Sequence, residues 1–140
     1  MIIILTSRPV SLKNPISWVN AITRIKTRSP FDHVSLYSDK TIFESVAGKG
    51  VHSIPFNEWV NGREGTYLFC YKIPDGTKVD FEKFWEEEGK KYDYKANLLF
   101  LFGKHKNLKK KSTERYFCSE LVATMIGIRE PYRITPDNLE

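Results

Sequence analysis

The sequence is poor in cysteine, histidine and long apolar runs, and each shortage excludes something. Two cysteines, Cys70 and Cys118, stand among 140 residues. They are too few for a disulfide-built mini-domain, and they lack the CxxC pairing of a zinc site or redox dithiol, so two lone thiols are expected. The three histidines, His33, His52 and His105, have no Cys, His or carboxylate neighbours at the close spacing of a structural zinc motif. Neither a metal nor another cofactor is therefore expected. After the opening Ile2 to Leu5, the longest apolar run is Leu98 to Phe102, far short of the roughly 20 residues that span a bilayer. No basic stretch precedes that opening run, so neither a signal peptide nor a transmembrane segment is expected, which makes the cytoplasm the expected location.

What is present is the composition of a globular domain. Apolar residues make up 41% of the chain and aromatic ones 14%, with a mean hydropathy of -0.41. This excludes a disordered tail, a collagen-like repeat and a polytopic membrane protein. Residues 1–140 suffice for one core and one domain, and no linker or internal repeat interrupts them. Lys and Arg number 22 against 17 Asp and Glu, a net charge of +5. Such a field favours anionic partners without choosing among them.

Local patterns predict short strands flanked and interrupted by helices. Ile2 to Thr6 reads as a strand buried on both faces. Asn14-Pro15 caps a helical pattern carried by Ile16, Val19, Ala21, Ile22 and Ile25 up to Ser29-Pro30. His33 to Tyr37 and Thr41 to Val46 read as a hairpin around Ser38-Asp39-Lys40, followed by a strand over Val51 to Ile54. Pro55 to Val60 reads as one helical turn closed by Asn61-Gly62, and Thr66 to Ile73 as a further strand. From Asp80, a helix is predicted with Phe81, Phe84, Trp85 and Glu88 on one face and Lys90 and Lys91 at its end. Ala96 to Phe102 is predicted as a short helix. Cys118 to Ile126 is another, with Leu121, Val122, Met125 and Ile126 on its apolar face and Glu120 pointing away from it. Thr135-Pro136-Asp137 opens a last one. Strands and helices in this order, without regular βαβ alternation, predict an α+β fold with a mostly antiparallel sheet packed against helices.

Three residues stand out chemically. Cys118 opens a helix, where the unpaired first-turn N–H groups and the helix dipole favour a thiolate, and where the same amides could hold an oxyanion. A buried structural cysteine is the competing reading. His33, at the start of the strand after the first helix, is a candidate general base and acid, with a core or capping histidine as the alternative. Glu44 shares its strand face with Ile42 and Val46. A carboxylate so placed needs a partner, either an imidazole to be held in its productive tautomer or one of the basic residues. Asp32, on the opposite strand face from His33, is the weaker orienting candidate.

Phe31-Asp32-His33-Val34-Ser35-Leu36-Tyr37, Phe43-Glu44-Ser45, Gly50-Val51-His52 with Pro55, Tyr92-Asp93-Tyr94, Phe117-Cys118-Ser119-Glu120-Leu121-Val122 and Thr135-Pro136-Asp137-Asn138-Leu139 together resemble a known family. It is the circularly permuted, YiiX-like branch of the NlpC-type papain-like cysteine hydrolases. In that branch the histidine strand precedes the cysteine helix, the reverse of papain order. The resemblance implies a permuted papain-like α+β fold with Cys118 as nucleophile, His33 as base and Glu44 as the polar third member. Relatives in the wider permuted group, among them lecithin retinol acyltransferase, act on acyl chains, and unpermuted ones cut peptide amides of cell walls. All of these reactions pass through a thioester.

Lys104, Lys106, Lys109, Lys110 and Lys111 concentrate positive charge around His105. A solvated loop is the plain reading, and an anionic lipid surface is the functional one. No nucleic-acid motif accompanies the lysines, so nucleic acid is not expected as a partner. Three functions follow. The first is a cysteine hydrolase of an amide bond, whose substrate would be a peptide, a cell-wall peptide or an N-acyl amide and whose three residues would converge at an open cleft. The second is a lipid acyl hydrolase or acyltransferase with an apolar groove near Leu98, Phe100 and Phe102. The third is a non-catalytic binding domain working through its basic loop. The first is the expectation carried forward.

Overall fold

In the computed structural model, residues 1–10, 21–22, 24–25, 30–63, 65–95, 115–134 and 139 are described. Strand β1 (Ile2–Ser7) is buried along nearly its whole length, which is why it reads as continuous apolar sequence rather than an alternation. It pairs antiparallel with β2 (His33–Ser38) on one side and β5 (Tyr67–Lys72) on the other. Strands β3 (Thr41–Val46) and β4 (Gly50–Pro55) extend the sheet. The order is β4-β3-β2-β1-β5, with every neighbouring pair antiparallel. The predicted hairpin forms between β2 and β3, and both of its loop residues, Asp39 (φ 48°) and Lys40 (φ 63°), are left-handed. That backbone suits the right-handed twist of the strands it joins.

Helix α1 (Phe56–Asn61) follows β4 directly, and α2 (Phe81–Glu87) and α3 (Cys118–Met125) come later. Two short parallel strands, β6 (Lys91–Tyr92) and β7 (Arg115–Tyr116), pair with each other. The architecture is thus α+β around a five-stranded antiparallel sheet, the class expected from sequence. One sheet face carries Leu5, Val34, Leu36, Phe43 and Val51, which pack with Phe84 of α2 and with Leu121, Val122 and Met125 of α3. Phe84 is fully buried, with its ring 4.8 Å from that of Phe43. Such burial contributes about 2 kcal/mol. The other face holds a smaller cluster of Ile4, Ile42 and Trp59.

Two expectations need correction. Helix α2 stops at Glu87, and Lys90 and Lys91 lie beyond its end, Lys91 within β6. The chain leaves the helix because Gly89 N donates to Val51 O (2.9 Å) and Lys90 O accepts from Val51 N (2.8 Å), hydrogen bonds to β4 that replace another helical turn. Of the predicted apolar face only Phe84 is buried in α2, and Trp85 is 55% exposed. Glu120, expected off the apolar face of α3, is buried, because all of α3 except Thr124 is enclosed.

Of the first predicted helix, Ala21, Ile22, Arg24 and Ile25 are helical, and the remainder lies outside the described residues. So do the Ala96 to Phe102 helix, the lysines from Lys104 to Lys111, and Thr135-Pro136-Asp137. Among the described residues no helix is long and apolar enough to cross a membrane.

Candidate active site

The hydrogen-bonded ladder of the β2–β3 hairpin is short. It runs through Ser38↔Thr41, Tyr37↔Ile42 and Leu36↔Phe43 and stops there. Beyond it β2 stays with β1, through Thr6↔His33, and β3 stays with β4, through Val46↔Gly50. His33 and Glu44 sit in these parted segments. By strand alternation they share the side of Tyr37 and Ile42, the face covered by Trp59. Ser45 points the other way and donates to Tyr116 O at 2.7 Å. This bond ties β3 to the stretch that leads into α3, and so brings Cys118 to the gap.

The three sequence candidates meet there. His33 Nε2 lies 2.7 Å from Glu44 Oε2, and the side chain of Cys118 stands close enough to the His33 ring to act on its charge. With Nε2 engaged by the carboxylate, Nδ1 is the ring nitrogen left for the sulfur. Burial opposes a charge on His33, but the hydrogen bonds and charges of Cys118 and Glu44 outweigh it and raise its pKa to about 9. Burial likewise opposes ionisation of Glu44. His33, Arg63 and Trp59 overcome that and hold the carboxyl at about 2. The arrangement therefore favours a buried carboxylate–imidazolium pair beside the Cys118 sulfur.

Cys118 is the first residue of α3, and the first intrahelical amide bond is Leu121 N to Phe117 O at 3.1 Å. The amides before it have no acceptor within the helix, and the Phe117 side chain does not cap them. Tyr92 of β6 stands near enough that burial and the Cys118 charge raise its phenol well above the usual value. It thus keeps its proton and remains a donor.

Several contributors were missed from sequence. Trp59 Nε1 donates to Glu44 Oε2 at 2.9 Å. Arg63 Nη2 donates to both carboxylate oxygens, at 3.2 Å to Oε1 and 3.0 Å to Oε2. His52 Nε2 is 3.5 Å from Oε1, since Glu44 and His52 are cross-strand partners in the β3–β4 ladder. That pairing was the available signal: with the turn at Gly48-Lys49 read as a hairpin, the register puts His52 opposite Glu44. Trp59 and Arg63 carried no comparable signal, because α1 reaches Glu44 only by folding back over the sheet. Asp32 does not join the site. Its Oδ2 accepts from Arg8 N at 3.1 Å and lies 4.0 Å from Arg24 Nε.

A cavity of 290 Å³ opens on the far side of Glu44, lined by Arg8, Lys49, Glu58, Trp59 and Arg63 among others. Cys118 and His33 do not line it, so it is not the cleft expected around all three residues. Cys70 is exposed on β5 and unpaired, and Cys118 is buried and unpaired. Among the described residues no group of three His, Cys, Asp or Glu side chains is placed to hold a metal. No family model matches the chain, and no curated protein matches it.

Proposed function

We propose that the protein is a cysteine hydrolase of the circularly permuted papain-like kind, cleaving a peptide or N-acyl amide through a thioester. One observation carries the reading: His33 is held by Glu44 and stands beside Cys118, at the head of α3. The fold assignment draws support from the chain order, histidine strand, carboxylate strand and then cysteine helix, around an antiparallel sheet.

In this reading the Cys118 thiolate attacks the substrate carbonyl, and the carbonyl π pair moves onto oxygen. The Cys118 N–H, unspent at the start of α3, stabilises that oxyanion together with the helix dipole. Collapse of the intermediate breaks the C–N bond, and protonated His33 gives its proton to the leaving amine. His33, now neutral, then takes a proton from water as its oxygen attacks the thioester, releasing a carboxylic acid and returning the proton and the thiolate. Glu44 keeps the ring oriented and stabilises its charged form without itself taking up the proton.

The test needs no substrate. Iodoacetamide labelling is followed by mass spectrometry against pH, in the native chain and in His33→Ala, with exposed Cys70 as internal comparison. Cys118 is expected to label faster than Cys70 at pH 6 despite its burial, and to lose that advantage in His33→Ala. Labelling no faster than Cys70, or indifferent to His33, would remove the catalytic reading.

A further inference from the structure

We propose that Arg63 is the positioning residue of this site, acting on Cys118 and His33 through Glu44, whose carboxylate it clamps and whose charge it balances. The inference rests on the cysteine-hydrolase reading. One nitrogen of Arg63 bridges both oxygens of Glu44, at 3.0 and 3.2 Å, so the carboxylate cannot rotate about its terminal bond without losing a contact. The guanidinium in turn lies 4.1 Å above the Trp59 ring, and that indole donates to the same carboxylate at 2.9 Å. Arg63, Trp59 and Glu44 thus close on one another. The backbone of Arg63 is fixed as well, its N donating to Val60 O (3.0 Å) and its O accepting from Thr66 N (3.1 Å). A carboxylate held by His33 alone could swing and take the ring with it; one held from three sides aims Nε2 and, through the rigid ring, Nδ1.

The second effect is electrostatic. Glu44 is faced by His33 from β2, His52 from β4, and Trp59 and Arg63 from α1 and the turn after it, while Arg8 and Asp32 act on Arg63. Arg63 is the permanent cation on this carboxylate. Removing it takes one positive charge from the group, so every nearby proton is bound more tightly. Thiolate formation at Cys118 and proton loss from His33 then both move to higher pH. A residue serving only to hold α1 in place would lower stability and leave those titrations where they are.

The cavity beside Arg63 permits a direct test, since a small cation can enter where the side chain has been cut back. Arg63→Ala, Arg63→Gln and Arg63→Lys are compared with the native chain by Cys118 alkylation against pH and by NMR titration of the His33 ring. In Arg63→Gln the alkylation rate at pH 6 is expected to fall about tenfold, with the whole profile displaced to higher pH. Arg63→Lys, which keeps the charge but not the bridging geometry, is displaced by less. Millimolar methylguanidinium is expected to restore part of the rate in Arg63→Ala and to leave the native rate unchanged. Native pH profiles in the folded variants, with only the melting temperature reduced, would overturn the proposal; Arg63→Lys decides it should the other two fail to fold. Absence of any His33-dependent advantage at Cys118 in the native chain would instead defeat the hydrolase reading itself, a different and separately visible result.

Discussion

Ser45 Oγ donates to the main-chain carbonyl of Tyr116 at 2.7 Å, joining the residue after Glu44 to the residue two before Cys118. The strand that carries the carboxylate and the segment that delivers the nucleophile are thereby fixed to each other. The same carbonyl accepts from Asp93 N at 3.1 Å, so Ser45→Ala does not orphan it. The expected loss is about 1 kcal/mol in denaturant unfolding, with a larger proportional loss in Cys118 alkylation than in Cys70 alkylation. Equal losses at both thiols would argue against the alignment role.

Glu44→Gln keeps the shape of the side chain and removes its charge. Without the carboxylate, His33 loses one of the interactions that lift its pKa to about 9, so NMR titration of the ring should give a lower value. Arg63, only 9% exposed, is left with its charge uncompensated, which costs about 3 kcal/mol. A variant as stable as the native chain would show that Arg63 finds another partner.

Stability should also depend on pH, with the sign set by two titrations. His33 is raised from 6.5 to about 9, so its contribution is complete below pH 6.5 and is lost as the pH rises through 9. Glu44 is lowered from 4.5 to about 2, so its contribution is complete above pH 4.5 and is lost as the pH falls towards 2. The His33–Glu44 pair contributes to both shifts and is counted once, while the rest of the His33 shift comes from Cys118 and the rest of the Glu44 shift from Arg63 and Trp59. Denaturant midpoints are expected to be highest between pH 4.5 and 6.5, and Glu44→Gln should flatten the acid fall.

Gly50 has a backbone φ of +78°, and a Cβ there would collide with the Lys90 carbonyl oxygen. That oxygen accepts from Val51 N, the contact that fastens β4 to the stretch entering β6. Gly50→Ala is therefore expected to cost about 2 kcal/mol or more. It should also slow Cys118 alkylation, since β6 carries Tyr92 beside the thiol. A neutral outcome in thermal unfolding would show that this connection yields freely.

Much of this was legible in the chain itself. Short apolar, β-branched and aromatic runs, with turn chemistry between them, marked β1 to β5 and the Asp39-Lys40 hairpin, because run composition and turn residues are local properties. Cys118 at a helix start, His33 at a strand start and Glu44 on a strand face were readable for the same reason. Their convergence was not. It depends on β2 and β3 parting after Leu36↔Phe43 and on α3 being fastened at that gap, and both are long-range pairings that no local pattern encodes. Trp59 and Arg63, 15 and 19 residues from Glu44, became its partners only when α1 packed back over the sheet. Which side chains could do chemistry was readable from the chain alone, since that is a property of each residue and its neighbours. Which carboxylate holds the imidazole, and what holds that carboxylate, was settled by folding, because a buried charge takes its partners from whatever the packing brings within reach.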